Sequence, residues 1–201
     1  MKALVIIPAR YGSTRLAGKV LLRRTGKYLV QHTYEQVTKA RLVDRIIIAT
    51  DDKRVLRAAR DFGGEAVLTS RRLRSGTERV AEVAAKLSYH YIVNVQADEP
   101  EINPKYIDTV IRLLGTDKKA GMSSLACPFD KKVDIADPNK VKVVLDKHKY
   151  ALYFSRSLIS YQPQVKSATV LRHLGIYGYR KDVLLSLVRI PPSPLEKSED
   201  L

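Results

Sequence analysis

Acidic residues are in short supply. Against 36 lysines and arginines stand 21 aspartates and glutamates, a formal net charge of +15. That deficit argues against a cationic ligand. It suits anionic partners: phosphates, sugar acids, nucleic acid or an acidic membrane surface. Cysteine is scarcer still. Cys127 stands alone in 201 residues, which excludes an internal disulfide framework and a cysteine-rich zinc site. No Cys-His or Ser-His-Asp set has supporting spacing. No run of about 18 uninterrupted apolar residues occurs, so no membrane insertion is expected. The apolar start of MKALVIIPAR is too short for a signal peptide, and Pro8 and Arg10 follow at once. Internal repeats and low-complexity tracts are absent too. What is present is a 45% hydrophobic share, enough for a proper core. These features describe a soluble cytoplasmic protein with an acidic ligand.

The apolar run at 3–8 lies between a charge and a Gly/Ser/Arg loop, the pattern of a strand buried on both faces. Residues 28–40 have helical spacing, with Leu29, Val30, Thr33, Val37 and Ala40 on one face. A second buried strand is expected at 45–50. Asp51 is placed to cap the following helix, which Gly63-Gly64 stops. A third strand follows at 65–68, a helix at 77–87, a fourth strand at 91–95, and a helix opened by Asn103-Pro104. Alternating strands and helices imply crossover units. The expected fold is α/β, a doubly wound, mostly parallel sheet with helices on both faces. From 141 the rhythm changes. KVVLD and YALYFS flank Lys147-His148-Lys149 and read as an antiparallel hairpin. A strand at 171–179 and a helix at 181–188 follow. PPSP at 191–194 is a rigid break before the start of a last helix. Cys127, between Ala126 and Pro128, is expected in the core. The chain is read as one domain, 1–201, with 135–180 as a hairpin subregion.

Four segments carry candidate chemistry. The loop after the first strand, PARYGSTRLAGK, bears Arg10, Arg15 and Lys19, with Gly12 and Gly18 allowing close backbone approach. Three cations plus backbone N–H groups make a polyphosphate cradle where open parallel sheets bind ligands. The loop is neither a Walker motif nor G-x-G-x-x-G; a solvated basic loop is the plain alternative. At the end of the fourth strand, Asp98 in NVQADEP is placed to hold Mg²⁺, which favours one or two carboxylates plus phosphate oxygens. The alternative is a turn cap before Pro100. In RSGTER, Ser75 or Thr77 caps a helix whose N-terminus either accepts a phosphate or is simply capped. Finally, alternation puts His173 and Tyr177 on one strand face. With Arg156 they would grip a carboxylate and sugar hydroxyls, or serve structure alone.

In order, IPARYGSTRLAGKVLL, IIIATDD, SGTERVAEV, IVNVQADEPEI, DPNKVKVVLD, YALYFSR, HLGIYGYR and PPSPLE resemble the 3-deoxy-manno-octulosonate (Kdo) cytidylyltransferases of lipopolysaccharide assembly. The resemblance runs from Lys2 to Leu201. It implies a nucleotide-diphospho-sugar transferase-like fold and Mg²⁺-dependent transfer of CMP from CTP to the anomeric hydroxyl of Kdo, releasing pyrophosphate. It implies that Arg10, Ser13, Arg15 and Lys19 hold the nucleotide and its phosphates. Ser75, Gly76 and Arg79 would complete the nucleotide side, and Asp98 would bind magnesium. Gln96, Arg156, His173 and Tyr177 match positions that contact the sugar acid. Lys19 and Asp98 are the expected catalytic pair. Relatives pair as homodimers, with the region around 135–160 as contact.

Three departures from the family pattern stand out. Ala17 and Val20 replace prolines, leaving the loop more entropy to lose on ordering, about 0.4–1 kcal/mol per proline. Ala97 replaces a glycine, which strains the loop if that position needs positive φ. Relatives continue past PLE to a VDTPEDLE-like stretch whose Asp is a second magnesium ligand, whereas this sequence stops at Leu201. Two alternatives stay open at this point: a homologue that binds nucleotide without turnover, and a cytidylyltransferase for a related acidic sugar. Nucleic-acid binding rests on charge alone, since the cations are scattered and no binding module is present.

Overall fold

Strand β1 (Ala3–Pro8) is buried at every position. It can be so because β2 (Arg45–Thr50) and β4 (Tyr91–Val95) flank it, both parallel to it. The computed structural model describes residues 2–12, 16–130, 133–159 and 169–199. They form two compact units, Met1–Ser123 with Ile176–Ile190, and Ser124–Gly175 with Pro191–Leu201.

In the first unit β3 (Ala66–Leu68) joins β2 in parallel, giving the order β3-β2-β1-β4. Residues 176–180 of β8 (Leu171–Arg180) pair with β4 antiparallel, so the sheet is mixed. The intervening helices are α1 (Leu29–Val37), α2 (Lys53–Asp61), α3 (Gly76–Ala85) and α4 (Pro104–Thr116), with α5 (Lys181–Leu187) after β8. Leu4 and Ile6 pack with Val80, Val83 and Ala84 of α3 and Leu184 of α5. Alternation turns Val5 and Ile7 the other way, and they are buried as well. Helices therefore cover both faces, as the strand pattern required.

Local chemistry sets the helix ends. Ser75 Oγ accepts from Glu78 N at 3.0 Å to open α3, and Asn103 Oδ1 accepts from Lys105 N at 3.0 Å to open α4. Gly63, at φ 79°, ends α2 in the left-handed conformation. The cap of α2 differs from expectation. Asp52, not Asp51, directly precedes the helix and accepts from Arg54 N at 2.8 Å.

The second unit holds most of β5 (Met122–Pro128), the hairpin of β6 (Lys142–Leu145) and β7 (Ala151–Ser155), residues 171–175 of β8, and α6 (Pro194–Glu199). β6 pairs antiparallel with both β7 and β8. At the hairpin turn Lys149 takes φ 67°, and Asp146 Oδ1 accepts from His148 N and Tyr150 N. The unit begins before the expected 135–180 subregion and yields 176–180 to the first unit. Strand β5 carries no strand signal in the sequence: its positions are exposed or half-buried and present no apolar face. Cys127 lies on it half-buried rather than in the core. Ala97 is not strained, for Lys149 is the only non-glycine with positive φ among the described residues. Among those residues no helix is long and apolar enough to cross a membrane.

Candidate active site

The loop after β1 is closed at its base. Gly18 N donates to Tyr11 O at 2.7 Å, and Gly18 has φ 70°. A Cβ there would meet the Tyr11 ring at 3.1 Å, so glycine answers both the conformation and the close approach. The Arg54 guanidinium lies over the other resource of Tyr11, its ring, 3.4 Å from the centroid. This clamp leads directly into a 3-10 turn at Lys19–Leu21 that fixes the Lys19 backbone.

Lys19 Nζ then reaches Asp98 Oδ2 at 2.7 Å, across 79 residues of sequence. Both side chains are 44% exposed. Asp98 follows β4, on a loop held from beneath: buried Thr33 on α1 donates through Oγ1 to Ala97 O at 3.0 Å. The start of α3 comes to the same end of the sheet, since a Cβ on Gly76 would lie 3.4 Å from Pro8 Cγ. Arg10 is anchored from there, donating to Leu73 O at 3.3 Å. The carboxyl ends of β1 and β4 thus gather Arg10, Lys19, Asp98, Ser75 and Gly76. Ser13 and Arg15 lie outside the described residues.

Arg79 does not line an open surface. It has no exposed area, and donates to Asp51 Oδ2 at 3.0 Å and to Thr69 Oγ1. Burial lowers its pKa, opposed by the Asp51 charge and helped by nearby Arg10. Arg79 holds the wall of the site; a ligand meets the residues it supports. Gln96 follows β4 and is half-buried. Tyr177 pairs in register with Asn94 of β4, and burial raises its phenol pKa.

In the second unit His173 Nε2 lies 2.7 Å from Ser124 Oγ, with the Phe154 ring edge-on at 4.9 Å. Burial alone pushes His173 down to about 4, so it is neutral at physiological pH. Arg156 donates from Nη1 to Pro138 O at 3.0 Å and from Nε to Glu199 O at 2.7 Å. Thus the sugar-side candidates divide: Gln96 and Tyr177 belong to the first unit, Arg156 and His173 to the second.

The partners of four residues escaped the motif reading: Tyr11, within the loop motif; Thr33, the polar member of an otherwise apolar helix face; Asp51, read as a helix cap; and Glu199. Thr33, Asp51 and Glu199 each act through a partner distant in sequence.

For magnesium, the fit rests on Asp98. Its carboxylate is accessible and pairs with Lys19. Among the described residues no group of three or more His, Cys, Asp or Glu converges. That donor set fits an ion whose remaining ligands are phosphate oxygens and water.

Comparison with known proteins agrees with this geometry. A family model described as cytidylyltransferase matches residues 4–201. The 3-deoxy-manno-octulosonate cytidylyltransferase of Geotalea daltonii is 45% identical over 212 residues, covering 100% of this chain and 84% of that protein. The Escherichia coli protein of the same name is 42% identical over 200 residues, covering 100% and 81%. The solved structure of CMP:2-keto-3-deoxy-manno-octonic acid synthetase complexed with CTP superposes with a TM-score of 0.95 at 41% identity, covering 100% of this chain and 83% of that one. The chain therefore belongs to the 3-deoxy-manno-octulosonate cytidylyltransferase family.

Proposed function

We propose that this protein transfers CMP from CTP to the anomeric hydroxyl of Kdo, releasing pyrophosphate, for lipopolysaccharide synthesis. The carrying observation is the Lys19–Asp98 pair at the carboxyl ends of β1 and β4. An exposed ion pair contributes only about 0–1 kcal/mol, so it opens readily to a charged ligand. Lys19 and Arg10 then meet the triphosphate oxygens, and Ser75 and Gly76 border the nucleotide. Asp98 would hold magnesium, which neutralises charge building on the phosphates. Kdo oxygen forms a bond to the α-phosphorus as the bond to pyrophosphate breaks. The hydroxyl proton leaves to water.

On the sugar side we assign Arg156 to the Kdo carboxylate and neutral His173 to a hydroxyl. The role of the chain is alignment and charge neutralisation, with no covalent intermediate. Use of CTP supports a cytoplasmic reaction. Homodimer formation is part of the same proposal; Leu152 and Leu195 of the second unit are 65% and 62% exposed and would be buried in it.

The test is CTP- and Kdo-dependent pyrophosphate release at saturating Mg²⁺. No release above background from folded protein refutes the activity. Calorimetric CTP binding in that case would leave a nucleotide-binding protein. A panel of acidic sugars decides the acceptor.

A further inference from the structure

Glu196 and Glu199 sit one turn apart on α6 but point to different tasks. Glu196 is used locally: its N–H donates to Ser193 Oγ at 3.1 Å, and its Oε2 accepts from Ser193 N at 3.3 Å, a reciprocal capping box. Glu199 instead reaches β7. Its Oε1 accepts from Tyr153 Oη at 3.0 Å and from Ser155 Oγ at 2.8 Å. Its Oε2 accepts from Arg156 N at 2.8 Å, and its backbone carbonyl accepts from Arg156 Nε at 2.7 Å. One residue therefore holds Tyr153 and Ser155 of β7 and both the backbone and the side chain of Arg156 just after it.

Two further contacts complete the frame. Pro138 O accepts from Arg156 Nη1 at 3.0 Å, and Lys142 Nζ donates to Arg156 O at 2.6 Å. Lys142 is itself fully buried, so this anchor is rigid. The carbonyl oxygens orient the guanidinium, and the Glu199 carboxylate lies close enough to feel its charge. The donors around the Glu199 carboxylate, with the Arg156 N–H first, hold it below the usual carboxylate range, so it is an ionised acceptor.

We propose that Glu199 is the positioning residue of the sugar side: it fixes the end of β7 and aims the Arg156 guanidinium at the carboxylate of the acidic sugar. This rests on the reading of Arg156 as a Kdo contact. An arginine is a long, rotamer-rich side chain, and its fork grips a carboxylate only when its plane is set beforehand. Glu199 supplies that setting from a part of the chain 43 residues away.

The experiment is calorimetric titration of the full chain with Kdo and, separately, with CTP. It compares wild type, Glu199→Ala, Arg156→Ala and the double variant. Glu199→Ala is expected to weaken Kdo binding about tenfold or more, the worth of a charge-assisted contact, with CTP affinity within about twofold. The double variant should bind Kdo no more weakly than Arg156→Ala, because both changes remove one contact. Glu199→Ala and Glu199→Gln both keep the backbone carbonyl that accepts from Arg156 Nε; Glu199→Gln also keeps one side-chain acceptor, so it should fall between and serves if Glu199→Ala does not fold. A purely structural role would lower binding stoichiometry and melting temperature while leaving the Kdo dissociation constant unchanged; that result overturns the proposal. If Arg156→Ala itself leaves Kdo affinity unchanged, the assignment of Arg156 is what fails. If only the Arg156 variant weakens binding, Glu199 does not position it.

Discussion

Replacing Lys19 with methionine separates function from stability. The change keeps a long apolar stem and removes the ammonium group. Lys19 and Asp98 are each 44% exposed, so their pair falls in the class worth about 0–1 kcal/mol. For a chain of this size that corresponds to a melting shift of at most about 2–4 °C. The functional loss should be far larger. A charge-assisted contact to phosphate is worth about 1.5–3 kcal/mol, so kcat/KM for CTP should fall about ten- to a hundredfold. At saturating CTP the KM for Kdo should change little. The assay is initial-rate pyrophosphate release over a CTP series, paired with a thermal melt. Wild-type kcat/KM for CTP would refute the role of Lys19. A melting loss beyond about 10 °C would refute the placement of the pair among weak, exposed ion pairs. Asp98→Asn should be equally mild toward folding and should lower kcat instead.

Other changes test the frame around the pair. Arg79→Met leaves Asp51 without its buried partner and should cost about 3–5 kcal/mol in urea unfolding; a loss below about 1 kcal/mol would contradict a structural role. Thr33→Val keeps shape but strips the buried Ala97 carbonyl of its donor, for an expected loss of about 1–3 kcal/mol by thermal melt. Unchanged stability would mean that the contact contributes nothing to holding the Asp98 loop. His173, at about 4 in the fold against an ordinary 6.5, makes a signed pH prediction. Below 6.5 the unfolded chain takes up a proton that the folded chain refuses until about 4. Stability should therefore fall as pH drops through that window and level off beneath it. Partial exposure limits the effect to about 1–2 kcal/mol. Denaturant midpoints across that window should lose this slope in His173→Gln; an identical slope would assign it elsewhere.

The strand at 3–8, the crossover rhythm, the hairpin near Lys149, a helix capped by Ser75 or Thr77 and a helix opened at Asn103-Pro104 were legible from the residues alone. Each follows from interactions between near neighbours: apolar runs, turn residues and side chains that bond their own helix start. The family was legible too, because eight motifs recur in order. What only the tertiary structure decided are partnerships across long sequence separations. Asp51 pairs with Arg79 instead of capping α2, because Asp52 sits directly before the helix. Ala97 needs no positive φ, and its carbonyl is satisfied by Thr33. Strand β5 has no apolar alternation, so pairing alone defines it. Lys19 meets Asp98 over a gap of 79 residues, and Glu199 meets Arg156 over one of 43. Short-range preference determines which elements form, but which charges meet depends on where the sheet order and the helix packing carry them.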